Sequence, residues 1–325
     1  MVRSNIFIFI ITSLLFSLAI DIILGEMPLK IHPVAIIGNF IDFFKKIFIK
    51  IKNRFSGFLV SFCVISLSCI ILYTIYYFIS FNYILLFIIF SLLLSSTFSV
   101  KMLLKTAIKV KNDLDENIDK ARKSISYLVS RNTDELTESF IVSATIESLS
   151  ENITDSYVAV IFYYFVFTII VLIYNINLYY LLIAPFIYRI FNTLDAMLGY
   201  KTDELIYIGF FPAKVDDILN YIPARISGIY IVISSYLLKF DAKNAFKIML
   251  RDARNCPSPN SGYTMASTAG ALNIQLIKKD TYVLGDNINE ITSQDILKAT
   301  NLASLSIILF TLTVIIIFIL IWVII

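Results

Sequence analysis

Histidine is almost missing from this chain: one residue, His32, among 325. That excludes a multi-histidine metal centre and leaves a Ser-His-Asp triad a single possible base. Cysteine is scarce too. Cys63 and Cys69 fall inside an apolar run and Cys256 in a polar loop, spacings that give neither a disulfide framework nor a thiolate metal site. Neither Gly-x-x-x-x-Gly-Lys-Ser/Thr nor Gly-x-Gly-x-x-Gly occurs, so any nucleotide is held without the two common phosphate-binding loops. Charged residues make up 16%, where a soluble domain carries about 25%. The net charge of +3 is small and dispersed, which argues against nucleic acid as a partner.

Apolar residues fill the space, at 58% of the chain. Their runs predict an all-α polytopic membrane protein with about five to seven membrane helices. The chain reads as one integral membrane domain over 1–325, with segments 101–153 and 241–300 outside the bilayer. Residues 5–23 form a retained span, since no small-x-small cleavage site follows them. Residues 24–33 are a loop, and 34–52 an increasingly basic helix suited to the membrane surface. A hairpin of two spans follows at 57–80 and 82–100. Apolar residues recurring every three or four positions over 104–128 predict one amphipathic packing helix, and Asn132 or Thr133 can cap the next. Residues 157–174 cross, 175–177 turn, and 178–191 return. That return is short for a perpendicular span, leaving re-entry or a break at Pro185 open. Residues 226–238 are too short to span confidently, and 302–325 form a last uncharged span. Lysine and arginine asymmetry places 24–54, 101–151, 201–220 and 241–300 on the cytoplasmic side of a cell membrane.

The polar residues gather in a few places. Glu147, Glu151 and Asp155 are spaced four and four, so on a continuous helix they share one face. Like charges one turn apart repel. A magnesium ion, a cationic substrate group or arginines from elsewhere could meet them, with Asn152 as a neutral neighbour. A solvated helix end capped by Thr154 or Asp155 is the plainer reading, and it explains the two glutamates poorly. Arg189, Asn192 and Asp195, spaced three and three, share another face. Asp216 and Asp217 extend this to a second acidic group, balanced by Arg189 and Arg225; a simple Arg189–Asp195 pair is the alternative. Residues 251–262 hold Arg251, Asp252, Arg254, Ser258 and Asn260, two prolines and an Asn-Ser-Gly turn ahead of a run of small residues. This is an anion site by its chemistry, or an ordinary connecting loop. All these groups fall on the face assigned to the cytoplasm, whereas a channel or carrier would place ionisable groups at mid-membrane.

Several motifs then fall in a telling order: LGEMPLKIHP (24–33), VSRNT (129–133), ESLSENITD (147–155), YRIFNTLDAMLGYK (188–201), AKVDDILNYIPAR (213–225), RDARNCPSPNSGY (251–263), AGAL (269–272) and YVLG (282–285). Through them the chain resembles, essentially end to end, the adenosylcobinamide-phosphate synthase family of cobamide (vitamin B12) biosynthesis. The resemblance implies a membrane enzyme that joins adenosylcobyric acid to (R)-1-amino-2-propanol, or its O-phosphate, through an amide bond, with ATP and Mg2+ expected. In that setting Glu147, Glu151, Asp155, Asp195, Asp216 and Asp217 are the candidate catalytic carboxylates, the first three also candidate magnesium ligands. Asn152, Arg189, Asn192, Arg225, Arg251, Asp252, Ser258 and Asn260 are candidate substrate- and phosphate-binding residues. Expected partners are the corrinoid and amino-alcohol phosphate substrates, the bilayer, and other membrane-bound enzymes of cobamide assembly. Two departures stand out: Gly25-Glu26-Met27-Pro28 where Gly-Asp-Pro is expected, and Cys256 where a histidine is common. The runner-up is a non-catalytic transporter or sensor for a corrinoid or amine on the same scaffold.

Overall fold

Short polar side chains open the helices, and apolar runs carry them. His32 Nδ1 accepts from the Val34 N–H at 3.2 Å ahead of Pro33, and Asn82 Oδ1 accepts from the Leu85 N–H at 3.0 Å. Both satisfy backbone donors that a first helical turn leaves orphaned. The structure is a computed structural model that describes residues 2–129 and 132–324; Ser130 and Arg131 of the 129–133 motif lie outside the described residues. The elements run α1 (Val2–Ile23), α2 (Pro33–Phe48), α3 (Phe55–Ile79), α4 (Tyr83–Ser95), α5 (Val100–Glu116), α6 (Ile118–Ile125), α7 (Glu138–Ile153), α8 (Ala159–Tyr174), α9 (Tyr179–Leu198), α10 (Phe210–Leu219), α11 (Tyr221–Leu237), α12 (Ala242–Asp252), α13 (Gly262–Leu272), β1 (Leu276–Lys278), β2 (Tyr282–Leu284) and α14 (Ser293–Ile324). Among the described residues six helical stretches are long and apolar enough to cross a membrane, and a seventh counts if α10 and α11 form one bent span. The all-α multi-pass architecture expected from the sequence is the one observed.

Four local expectations need correcting. The amphipathic stripe over 104–128 is two helices, because Asn117 accepts from the Asp119 N–H at 2.7 Å and starts α6 afresh. Asn132 does not cap α7; it closes a local turn onto the Asp134 N–H at 2.9 Å, and the helix begins only at Glu138. Pro185 neither breaks α9 nor makes it re-entrant. The helix runs unbroken for 20 residues, enough to span, as prolines within membrane helices often allow. Residues 276–284, read as plain polar loop, form an antiparallel hairpin pairing Leu276 with Leu284 and Lys278 with Tyr282.

The chain divides into two compact units. The first comprises the residues up to Ser99, Ala159–Leu219 and the stretch from Ile315. Its interior is aromatic: Phe9 of α1 packs edge-on against Phe90 of α4 at 5.1 Å. The buried Tyr164 hydroxyl donates to the Ile10 carbonyl at 2.9 Å, so α1 is tied into the unit by its own backbone. The second unit comprises Val100–Val158 and Asn220–Val314, and so contains both 101–153 and 241–300. At its centre α13 is buried from Thr264 to Leu272. Small side chains let it approach α12 closely, and a Cβ on Gly270 would lie 2.7 Å from the Asn244 carbonyl oxygen. Ser150 of α7 donates to Thr268 of α13 at 3.1 Å.

Candidate active site

The acidic face of α7 is built into the second unit by hydrogen bonds from a hairpin distant in sequence. Ser143, Glu147 and Glu151 follow at intervals of four on one side of the helix. The Ile277 N–H of β1 donates to Ser143 Oγ at 2.9 Å, and Ser143 Oγ donates to Glu147 Oε1 at 2.6 Å. The Tyr282 hydroxyl of β2 donates to Glu147 Oε2 at 2.9 Å. Glu147 is 6% exposed, so these charge-assisted bonds offset a desolvation that would otherwise be costly. Burial, then the Glu147 charge, pushes the Tyr282 phenol well above its ordinary value.

Residues 154–158 form a π-turn between α7 and α8. Its wider winding interrupts the regular four-residue spacing between Glu151 and Asp155. Among the described residues no group of three or more His, Cys, Asp or Glu side chains is placed to hold a metal ion. Asn152 turns its amide back onto the Ser148 carbonyl at 2.9 Å.

The 251–262 loop and this helix are fastened to the same hairpin, through Asp252 and Glu147. Cys256 is buried, and its thiol is pushed up to about 12 by that burial, opposed by a Ser261 hydrogen bond and reinforced by the charges of Glu151 and Glu147. Two motifs far apart in the chain thus share one site. The loop is rigid from within. Arg251 donates through Nε and Nη2 to the two Asp252 oxygens at 2.7 and 2.8 Å, and through Nη1 to Asp286 at 2.9 Å. The Gly285 N–H adds a bond to Asp252 at 2.8 Å; Gly285 has φ +84°, a conformation glycine adopts without strain. Burial alone would raise the Asp252 carboxyl, but the Arg251 and Gly285 bonds outweigh it and hold it below the usual range. The Arg251 fork therefore clamps the end of α12 to the hairpin. Arg225 lies between the Tyr221 and Tyr263 rings, 3.5 and 4.3 Å from their centroids, and donates to Asn260 at 3.2 Å. Ser258 Oγ accepts from the Asn260 N–H at 3.2 Å. Arg254, on the 3-10 turn Ala253–Asn255, is exposed.

The first unit carries the other set. Arg189 donates to Asn192 at 3.0 Å, one turn along α9. Asp195 lies over Gly199, where a Cβ would come 2.2 Å from the carboxylate oxygen. Asp216 is buried, and Asp217 meets Lys214 at 3.3 Å. The 24–33 loop reaches the same region. Burial lowers the His32 pKa, Glu26 opposes it and the Arg189 charge adds to it.

Ser143 and Tyr282 are the site residues that sequence reasoning did not assign. Ser143 had a signal, standing four residues before Glu147. Tyr282 had none by spacing, because only hairpin pairing brings it to α7.

A family model described as CobD/Cbib protein matches residues 14–303. The chain belongs to the CobD/Cbib family. A relative named probable cobalamin biosynthesis protein CobD, from Methanothermobacter thermautotrophicus, is 42% identical over 305 residues, covering 93% of this chain and 96% of its own. Proteins of the same name from Methanococcus aeolicus and Methanocaldococcus jannaschii are 41% and 38% identical, covering 93% and 84% of this chain and 94% and 87% of theirs. No solved structure matches. The CobD/Cbib match takes in both sets of candidate residues, from His32 in the first loop to Asp286 beside the hairpin.

Proposed function

We propose that this CobD/Cbib protein is a membrane-bound biosynthetic enzyme of cobamide assembly, joining adenosylcobyric acid to (R)-1-amino-2-propanol or its O-phosphate through an amide bond. The observation that carries this reading is the hairpin that joins the 251–262 loop, through Asp252, to the glutamate face of α7, through Glu147, in a chain whose family match runs nearly end to end. Making an amide requires an activated carboxyl group and an amine that has lost its proton. Glu147 is held by Ser143 and Tyr282; Glu151, half-buried one turn on along the same face, is assigned to hold the ammonium and take its proton. Exposed Arg254 and the α13 N-terminus are assigned to phosphate, with Arg251, Asp252, Ser258, Asn260 and Arg225 shaping the loop around them. Asp195, Asp216 and Asp217, with Arg189 and Asn192, enter the proposal as a second carboxylate group. ATP is the expected energy source. Mg2+ remains the expected companion of ATP, with Glu147, Glu151 and Asp155 as its candidate ligands, and no step is routed through it.

The lysine and arginine distribution further supports a cytoplasmic location for 101–151 and 241–300. Strong labelling from outside of a cysteine placed at Asp113 or Lys279 would overturn that part. The function itself is tested by complementing a strain that lacks the synthase and is fed cobyric acid. Restored cobamide synthesis is the expected result, and a membrane-inserted protein that fails to restore it sinks the reading.

A further inference from the structure

We infer that an open groove on the second unit receives one edge of the corrin macrocycle; the inference rests on the synthase reading above and names where its larger substrate docks. The groove has a volume of about 500 Å³ and is walled by Ile277, Ile288 and Ile291, with Ser139, Gln275, Asn287 and Glu290 between them. Ligand pockets of such size hold drug-sized surfaces. Of the three reactants, two are ill suited to it. ATP and aminopropanol phosphate are anionic, and among the described residues no lysine or arginine lines the groove; a free aminopropanol is far too small to fill it. Cobyric acid combines broad apolar surface with a rim of neutral carboxamides. Gln275 and Asn287 each offer both a donor and an acceptor to such amides, Ser139 does the same, and Glu290 accepts their N–H groups.

Position makes the same case. Ile277, in the groove wall, donates its N–H to Ser143, which in turn donates to Glu147. Ser139, Ser143, Glu147 and Glu151 follow at intervals of four along one face of α7, so a corrin seated at Ser139 has its acid arm on the helix face that leads to the glutamates. The wall is also preformed. Asn289 donates its N–H to the Asn273 carbonyl at 2.9 Å and Ile288 to the Asp286 carbonyl at 2.9 Å, yet Ile288 is 62% exposed on a segment outside every candidate span. Less ordering is then needed when an apolar ligand covers it.

The test uses the full-length protein in detergent micelles, titrated with adenosylcobyric acid by equilibrium dialysis and read by corrin absorbance. Gln275→Ala and Asn287→Ala should each weaken corrinoid binding by about twofold to tenfold, the range for one neutral hydrogen bond. Ile288→Asp should weaken it further, and all three should leave the KM for aminopropanol phosphate unchanged. Wild-type binding with all three variants equally tight overturns the groove assignment alone, and the same holds if detergent or lipid competes while cobyric acid does not. A wild-type protein that binds no cobyric acid overturns the synthase reading and this inference with it.

Discussion

The Tyr282 hydroxyl donates to the Glu147 carboxylate at 2.9 Å across 135 positions of chain. That single bond, with the Ile277–Ser143–Glu147 relay, fastens the hairpin to the helix that carries the acidic face. Glu147 is consequently a buried anchor, and the proposed function assigns the chemistry to Glu151 one turn on.

Tyr282→Phe keeps the ring and removes the donor. A buried carboxylate that loses one charge-assisted partner should destabilise the protein by about 1–3 kcal/mol, read as a lowered midpoint of unfolding in detergent. Combined with Ser143→Ala, the two losses should not add, because both substitutions act on the same carboxylate. An unchanged midpoint for Tyr282→Phe would show that the hairpin is held by other contacts.

Glu151→Gln preserves shape and removes charge. Turnover should vanish while membrane insertion stays as in wild type. Near-normal turnover would reduce Glu151 to a structural role.

Arg251 and Arg254 should separate cleanly. Arg251→Lys loses the fork that grips Asp252 and Asp286 together, so it should lower stability. Arg254→Ala should instead weaken the phosphate-bearing substrate by about tenfold to a hundredfold, as for one charge-assisted contact of roughly 1.5–3 kcal/mol. The Asp252 carboxyl is held below its usual range, so its contribution to stability is complete above the ordinary carboxylate value and is lost as pH falls through the folded value. Asp252→Asn should remove that acid-dependent part from the stability profile.

Cys256 should be inert in the native protein. Its thiol, pushed up to about 12, stays neutral at pH 8, and the thiolate is the reactive form. Iodoacetamide at that pH should modify Cys256 only after denaturation, as read by mass spectrometry. The stability linked to this thiol is full below its ordinary value near 9 and falls away as pH rises from there towards 12. Complete native labelling at pH 8 would contradict the buried geometry.

His32 caps α2 only while Nδ1 is neutral, and its pKa lies below the ordinary 6.5. The linked stability is therefore complete above pH 6.5 and is lost as pH falls through the folded value. His32→Asn, with a side chain that caps at any of these pH values, should flatten the dependence of the melting temperature between pH 5 and 7. A wild-type profile already flat over that range would remove His32 from the account.

The membrane-spanning architecture was legible in the chain itself, because a bilayer's thickness demands runs of about 20 apolar residues and such runs cannot be disguised. The loop at 24–33, the turn at 175–177 and the turn ahead of the small-residue run that follows residue 262 were legible for a similar reason: proline, asparagine and glycine act locally. The motifs in their order also marked the family. Tertiary structure alone decided the rest. Asn117 ends one helix and begins another by a cap that periodicity does not register. The hairpin strands are three residues each, too short for alternation to mark, and their pairing and the docking onto Ser143 and Glu147 define them. Glu147, Glu151 and Asp155 looked equivalent by spacing; the Ser143 and Tyr282 bonds single out Glu147 as the anchor of the hairpin. Arg251 and Arg254 looked alike as well, until Asp252 and Asp286 engaged one and left the other exposed. Spacing tells which groups can share a face, but partners brought from distant segments set what each group is left to do.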